Sequence, residues 1–264
     1  KARGQRRSQP CEVHCHFSQQ KQDMTFSFNT QSKEVKVAHP PFVWGKSLPV
    51  YLPTRELLSI YPGFVSLYET THLSFEETWR DICVLLGAPL LKGKQMEPIH
   101  KMLTALEAAM GGKVALDKSG RFYLNMNGNS LEMHLVAEGL RKLAMIARLI
   151  ATGSLSEGVT LFWDEPDSNL NPKIITLVAG TILDLCKNGV QVFVATHSLF
   201  LMRELDILLH KAEFENIEAH FFGLHRVSDG VEVQQGQTVD DIGQIDALQE
   251  ELSQSDRYLD EEGD

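Results

Sequence analysis

The feature that most constrains this chain is a strand–helix–strand–helix run from Val159 to Lys211 whose two strands both end in polar, chemistry-bearing residues. Val159–Trp163 is apolar but for Thr160, the pattern of a strand buried on both faces. Pro172 at a first helical position and Gly189 beyond the end bound the helix that follows. Val190–Ala195 is a second apolar run, and Leu199–Lys211 reads as the next helix. This alternation predicts an α/β fold with a mainly parallel sheet. Functional groups in such sheets collect at the carboxyl ends of the strands.

The first strand end reads Leu161-Phe-Trp-Asp164-Glu165-Pro-Asp-Ser-Asn-Leu-Asn-Pro172. Adjacent carboxylates repel, so a pair delivered to a sheet edge needs a compensating cation or a catalytic use. In phosphoryl transfer the first acid, here Asp164, holds Mg²⁺, and the second, here Glu165, orients and deprotonates the attacking water. A polar loop with chance acids would give the same letters. The second strand end is Val190-Gln-Val-Phe-Val-Ala195-Thr-His197-Ser198. One helix separates the two strands, so their ends should be neighbours on one sheet edge. A histidine there can hydrogen-bond a γ-phosphate.

The remainder organises around this core. Cys11–Phe17, Met24–Phe28 and Glu34–Val37 read as short strands of an antiparallel β unit that Pro40-Pro41 ends. Leu48–Leu52 is a further short strand, closed by Pro53-Thr54-Arg55-Glu56. Ser74-Phe-Glu-Glu77 has the form of a capping box for a helix stopping at Gly87. Pro98 opens another helix, which ends at Gly111-Gly112. Lys113–Met126 reads as a hairpin around Asp117-Lys-Ser-Gly120. Helical spacing of Leu140, Leu143, Ala144, Ala147 and Ile150 predicts a helix over Glu138–Ala151. Ile217–Val227 and Val231–Gln234 form a last hairpin. The expected organisation is a β subdomain with the strand after it (1–53), a helical subdomain with hairpin (54–157), the catalytic core (158–238) and an acidic C-terminal segment (239–264).

Of 264 residues, 43% are hydrophobic and 23% charged, which excludes disorder as the main state. The apolar stretches Leu143–Ala151 and Ile174–Cys186 are cut by Arg148 and Asp184, so no membrane span is expected. The net charge of −10 is concentrated at one end: Val239–Asp264 carries ten carboxylates against Arg257. The basic run Lys1–Arg7 reads as solvated rather than as a nucleic-acid stripe. Cys11, His14, Cys15 and His16 are metal-ligand types, but strand alternation sends Cys11 and Cys15 to one face and both histidines to the other. A half-buried strand is the better reading than zinc. Nothing in the four cysteines demands disulfides, so a reducing cytoplasm is the default.

Taken together, the order and spacing of these motifs resemble the ATPase core of ABC-type proteins, in particular the soluble branch containing SMC, DNA-repair and OLD-like AAA-family ATPases. Asp164-Glu165 resembles Walker B, Ser168-Asn169-Leu-Asn171 the D-loop, and Thr196-His197-Ser198 the switch-histidine loop. Val136-Ala137-Glu138-Gly139-Leu140-Arg141-Lys142 resembles the signature motif, with Ala137 where serine is usual. The resemblance implies an ABC-type P-loop NTPase core with an antiparallel β subdomain and a helical signature subdomain. It implies ATP and Mg²⁺ as cofactors and a homodimer or higher oligomer that drives an effector such as a nuclease, with DNA or RNA as a further partner and no membrane. Glu165 and His197 would be catalytic and Asp164 the metal ligand. Ala137, Glu138, Gly139, Arg141, Ser168, Asn169 and Asn171 would meet nucleotide across the dimer.

Two departures stand out. No Gln occupies the place of the Q-loop at Pro53–Glu56. Gly45-Lys46-Ser47 is the only Gly-Lys-Ser, but Pro40 stands where a phosphate-binding loop needs its first glycine. In the family that loop precedes every segment found here, so the chain is expected to start just downstream of it. The alternative is an ABC-like binding or scaffold module that has lost catalysis. A transporter subunit fits less well, because the signature and Q-loop segments are atypical for that branch.

Overall fold

The computed structural model describes residues 10–17, 23–29, 31–32, 34–41, 49–71, 73–97, 99–228 and 230–262. The basic run Lys1–Arg7, the Gly45-Lys46-Ser47 segment, and Pro98 lie outside the described residues. Two units divide the chain, residues 1–48 and 49–264. Strand Val50–Leu52, which the sequence groups with the N-terminal β segment, thus belongs to the larger unit.

In the smaller unit, β1 (Cys11–Cys15), β2 (Met24–Phe28) and β3 (Lys36–His39) form an antiparallel sheet in chain order. β3 lies two residues later than expected, and its pairing with β2 shifts register between Thr25 and Phe26. The histidines of β1 and its end are used locally. His14 Nδ1 lies 3.1 Å from Thr25 Oγ1 and His16 Nδ1 3.2 Å from Asp23 Oδ2. Among the described residues no three ligand-type side chains gather into a metal site.

The larger unit is built on a parallel sheet of β4 (Val50–Leu52), β8 (Thr160–Asp164) and β9 (Gln191–Ala195), with β8 central. Leu161 and Trp163 point into the core at 0% and 4% exposure, whereas Phe162 is 40% exposed and Phe193 on β9 is 44% exposed. The expectation of burial on both faces is therefore corrected. Leu161-Phe162-Trp163 is apolar on both faces because the outer face carries a cross-strand aromatic pair, Phe162 and Phe193, with ring centroids 4.9 Å apart and planes 12° apart.

Helices α1 (Phe64–Thr71), α2 (Glu77–Leu86) and α3 (His100–Met110) precede an antiparallel sheet of β5 (Lys113–Leu116), β6 (Phe122–Met126) and β7 (Asn129–Glu132). The expected capping box is not formed: the N-cap of α2 is Glu76, with no side-chain cap bond, and Ser74 lies two residues outside it. The expected hairpin is extended by β7 across the Asn127-Gly128 turn, whose φ values of 43° and 85° suit a tight reversal.

Helix α4 (Glu138–Ala151) is buried along Lys142–Ile150. Its Arg148, which interrupts the apolar pattern, donates to Leu86 O and Ala88 O at 2.9 Å each, satisfying carbonyls at the end of α2. Helix α5 (Pro172–Lys187) packs with α6 (Leu199–Leu209) through Ile175, Ala179, Leu183, Leu201 and Leu208. The β10 (Phe221–Val227) and β11 (Gly230–Gly236) hairpin follows, and most of the acidic C-terminal segment is a helix, α7 (Asp246–Glu262). No described helix is long and apolar enough to cross a membrane.

Asn171 is the N-cap of α5 and its Oδ1 accepts from Ile174 N at 3.0 Å. Asn171→Ala should cost about 1 kcal/mol. Thermal unfolding should then shift down by about 2–4 °C in a chain of this size; an unchanged midpoint would mean the cap contributes nothing.

Candidate functional site

The parallel register Asp164↔Ala195 brings the carboxyl ends of β8 and β9 side by side. Glu165 N then donates to Ala195 O at 2.8 Å, which carries the pairing one residue past the strand. The alternation that buries Leu161 and Trp163 puts Asp164 on the opposite face, half-buried at the sheet edge. Glu165 sits at φ 43°, a left-handed conformation unusual for a side chain of this kind. Its Oε1 lies 3.0 Å from His197 Nδ1; the histidine side chain is 78% exposed and the glutamate 35%.

The loops behind this pair are tied together. Thr196 Oγ1 donates to Asp167 Oδ1 at 2.7 Å and accepts from Ser198 N at 3.0 Å. Ser198 caps α6, its Oγ accepting from Leu201 N. One cleft of ≈ 460 Å³ is lined by Asp167, His197, Ser198 and Phe200 together with Glu250 and Arg257 of α7.

Helix α4 abuts the segment after Glu165. Glu138 Oε1 accepts from Asn169 Nδ2 at 3.1 Å. A Cβ on Gly139 would lie 3.1 Å from Asn169 O and from Leu170 Cδ2, so the glycine permits this close approach. Ala137 is the N-cap of α4 and supplies no side-chain cap bond. Lys142, one turn further, donates to Ser168 O at 2.7 Å and to Ser168 Oγ. Burial pulls the Lys142 ammonium below the usual lysine range, against the raising effect of Glu138, Asp167, Glu165 and Asp164. Arg141 turns elsewhere: its Nε donates to Glu56 Oε1 and one terminal nitrogen to Val136 O, both at 2.6 Å. Glu56 also accepts from Ser59 Oγ at 2.6 Å and Ser59 N at 3.2 Å.

Of the residues the sequence singles out, Asp164, Glu165 and His197 thus meet at one sheet edge. Glu138, Gly139, Ser168 and Asn169 meet beside it, while Arg141 is engaged with Glu56 and Asn171 caps α5. Sequence reasoning names Lys142 and Thr196 only as members of motifs and gives neither of them, nor Asp167, a role of its own. The signal for Lys142 was a cation on the otherwise apolar face of α4.

A parallel sheet whose central strand ends in an acid pair, beside a histidine loop and a glycine-bearing helix start, is the arrangement expected of an AAA-type ATP-binding module. Residues 46–203 match the family described as "AAA domain, putative AbiEii toxin, Type IV TA system", and the chain belongs to that family of ATP-binding modules. Among solved structures, an SmcHead bound to the C-winged helix domain of ScpA is 11% identical, over 88% of this chain and 74% of that chain, with a TM-score of 0.50. The SMC head domain from Thermotoga maritima is 13% identical over 86% and 73%, with a TM-score of 0.45. The Smc head from Pyrococcus furiosus with an extended coiled coil, bound to the C-terminal domain of ScpA, is 14% identical, with a TM-score of 0.40. There the match covers 64% of this chain but only 38% of that one. No curated protein matches the chain.

Proposed function

We propose that this chain carries the acid pair, the D-loop, the histidine loop and the signature helix of an ATPase, and that two copies close around ATP. The observation that carries this reading is the Glu165–His197 contact at adjacent strand ends, 3.0 Å apart and open to solvent. Glu165 takes the proton of the attacking water, and His197 orients that carboxylate and meets the γ-phosphate. Asp164 is the Mg²⁺ ligand. One carboxylate at a sheet edge fits that ion, which is usually held by one or two carboxylates with waters and substrate phosphates completing its shell. When bound, Mg²⁺ neutralises charge on the phosphate oxygens.

Across the dimer, the α4 start at Ala137, Glu138 and Gly139 faces the phosphates held by the other copy, a use of unpaired helix N–H groups. Ser168 and Asn169 connect the two sites. Asn171 supports this segment by starting α5, and Arg141 holds the helix start to Glu56. Hydrolysis opens the dimer and releases an effector, and the toxin description of the family favours a defence-related output, with a nuclease and DNA or RNA as its components. We place the chain in a reducing cytoplasm, because nothing in the sequence demands disulfides.

The test is sedimentation velocity with phosphate-release kinetics on the full-length protein. ATP with Mg²⁺ should convert monomer to dimer and be turned over, and chelation with EDTA should abolish both. A protein that neither dimerises nor releases phosphate would be a scaffold instead.

A further inference from the structure

Lysine is almost never fully buried without a partner, yet Lys142 is only 4% exposed on the second turn of α4. Its ammonium has three N–H donors and three protein oxygens around it. These are Ser168 O at 2.7 Å, Ser168 Oγ, and Glu165 O at the longer distance of 3.5 Å. All three acceptors are uncharged. Its hydrogen bonds therefore hold a turn, while its charge lies in the field of Glu138, Asp167, Glu165 and Asp164.

That turn is the one bearing the acid at the sheet edge. Glu165 O also accepts from Ser168 N at 3.1 Å and from Ser168 Oγ at 3.0 Å. Four residues are thus closed into a loop around one carbonyl, with Glu165 at φ 43° as its first member. A left-handed conformation at a glutamate persists only when its surroundings over-determine it. Glu138, one helical turn before Lys142, takes Asn169 Nδ2 at 3.1 Å, and Gly139 sits against Asn169 O. Positions 138, 139 and 142 of α4 therefore all grip residues 165–170.

We propose that Lys142 is a positioning residue that makes the start of α4 and the Glu165–Ser168 turn one mechanical unit, so that a shift of the helix re-aims the Glu165 carboxylate. The proposal deepens the ATPase reading and rests on it for the consequence in turnover. The link itself is independent of nucleotide. Burial disfavours the charged ammonium, and the nearby carboxylates of Glu138, Asp167, Glu165 and Asp164 act in the opposite direction.

The test compares the full-length protein with Lys142→Met, which keeps the length and removes the charge. Two readouts are used: kcat and KM for ATP, and amide hydrogen exchange without nucleotide. Exchange at residues 165–169 should accelerate at least tenfold, with α5 and β8 unchanged. Turnover should fall on the order of 10²-fold through kcat, as for misplacement of a reacting group by about 1 Å, with KM within about twofold. Normal exchange in the turn, or a loss carried by KM alone, overturns the proposal. If Lys142→Met does not fold, Ser168→Ala decides. It removes one acceptor of Lys142 at a half-buried site and should speed exchange in the same five residues, and an unchanged pattern overturns the link. Absence of turnover in the unsubstituted protein sinks the ATPase reading alone, because the exchange readout still tests the link.

Discussion

Glu165→Gln in the full-length protein should reduce phosphate release by about 10²–10⁴-fold, the usual contribution of a positioned general base. ATP binding should persist, so the protein should accumulate as an ATP-bound dimer. The amide has the shape of the carboxylate and can still meet His197, which lies 3.0 Å away in the native site. It cannot take a proton from water. The backbone at φ 43° is retained by the bonds from Ser168 and Lys142 to residues 165–168, none of which involves the substituted atoms. Single-turnover kinetics and size-exclusion chromatography with light scattering read both effects. Turnover equal to that of the unsubstituted protein would remove Glu165 from the chemistry.

The largest expected loss of stability lies at Glu56→Ala. The Glu56 side chain is 3% exposed and accepts from Arg141 Nε and Ser59 Oγ at 2.6 Å each, and Arg141 itself is 19% exposed. Removing one partner of a buried ion pair strands the other without compensation and costs about 3–5 kcal/mol. In a chain of this length that is a fall of roughly 6–20 °C in Tm. Replacing both members, as Glu56→Leu with Arg141→Met, should recover much of the loss because the stranded charge is gone. Chemical and thermal denaturation of the two variants measure this. A single variant as stable as the parent would show the pair to be dispensable.

Much of the frame was legible from local pattern. Glu138–Ala151 has a clear helical apolar face and is the helix found, and Pro172 and Gly189 bracket α5 as their backbone preferences dictate. The Asn127-Gly128 reversal is legible too, since Asn-Gly between strand-like segments is a strong hairpin signal, but a hairpin that stops at Met126 leaves out β7. Ser74–Glu77 misled because it has the letters of a capping box without the spacing to the helix that forms. The acid pair and His197 could be placed together because short crossovers make successive parallel strands neighbours. Contacts between distant segments were not readable. Arg141 meets Glu56 across 85 positions and Lys142 meets Ser168 across 26, and neither sequence neighbourhood hints at its partner.

The two-residue alternation of β8 also governs how this chain can change length over time. Leu161 and Trp163 face the core, Asp164 faces outward, and β4 and β9 pin the strand in register on both sides. Loss or gain of one residue within Thr160–Trp163 would exchange the two faces. The acid would enter the core as Trp163 left it, so a single codon deletion would destroy packing and site together. The turns at Asp117–Gly120 and Asn127-Gly128 carry no such linkage, since they reverse direction at the ends of antiparallel strands. Insertions and deletions should therefore be tolerated there and purged from β8.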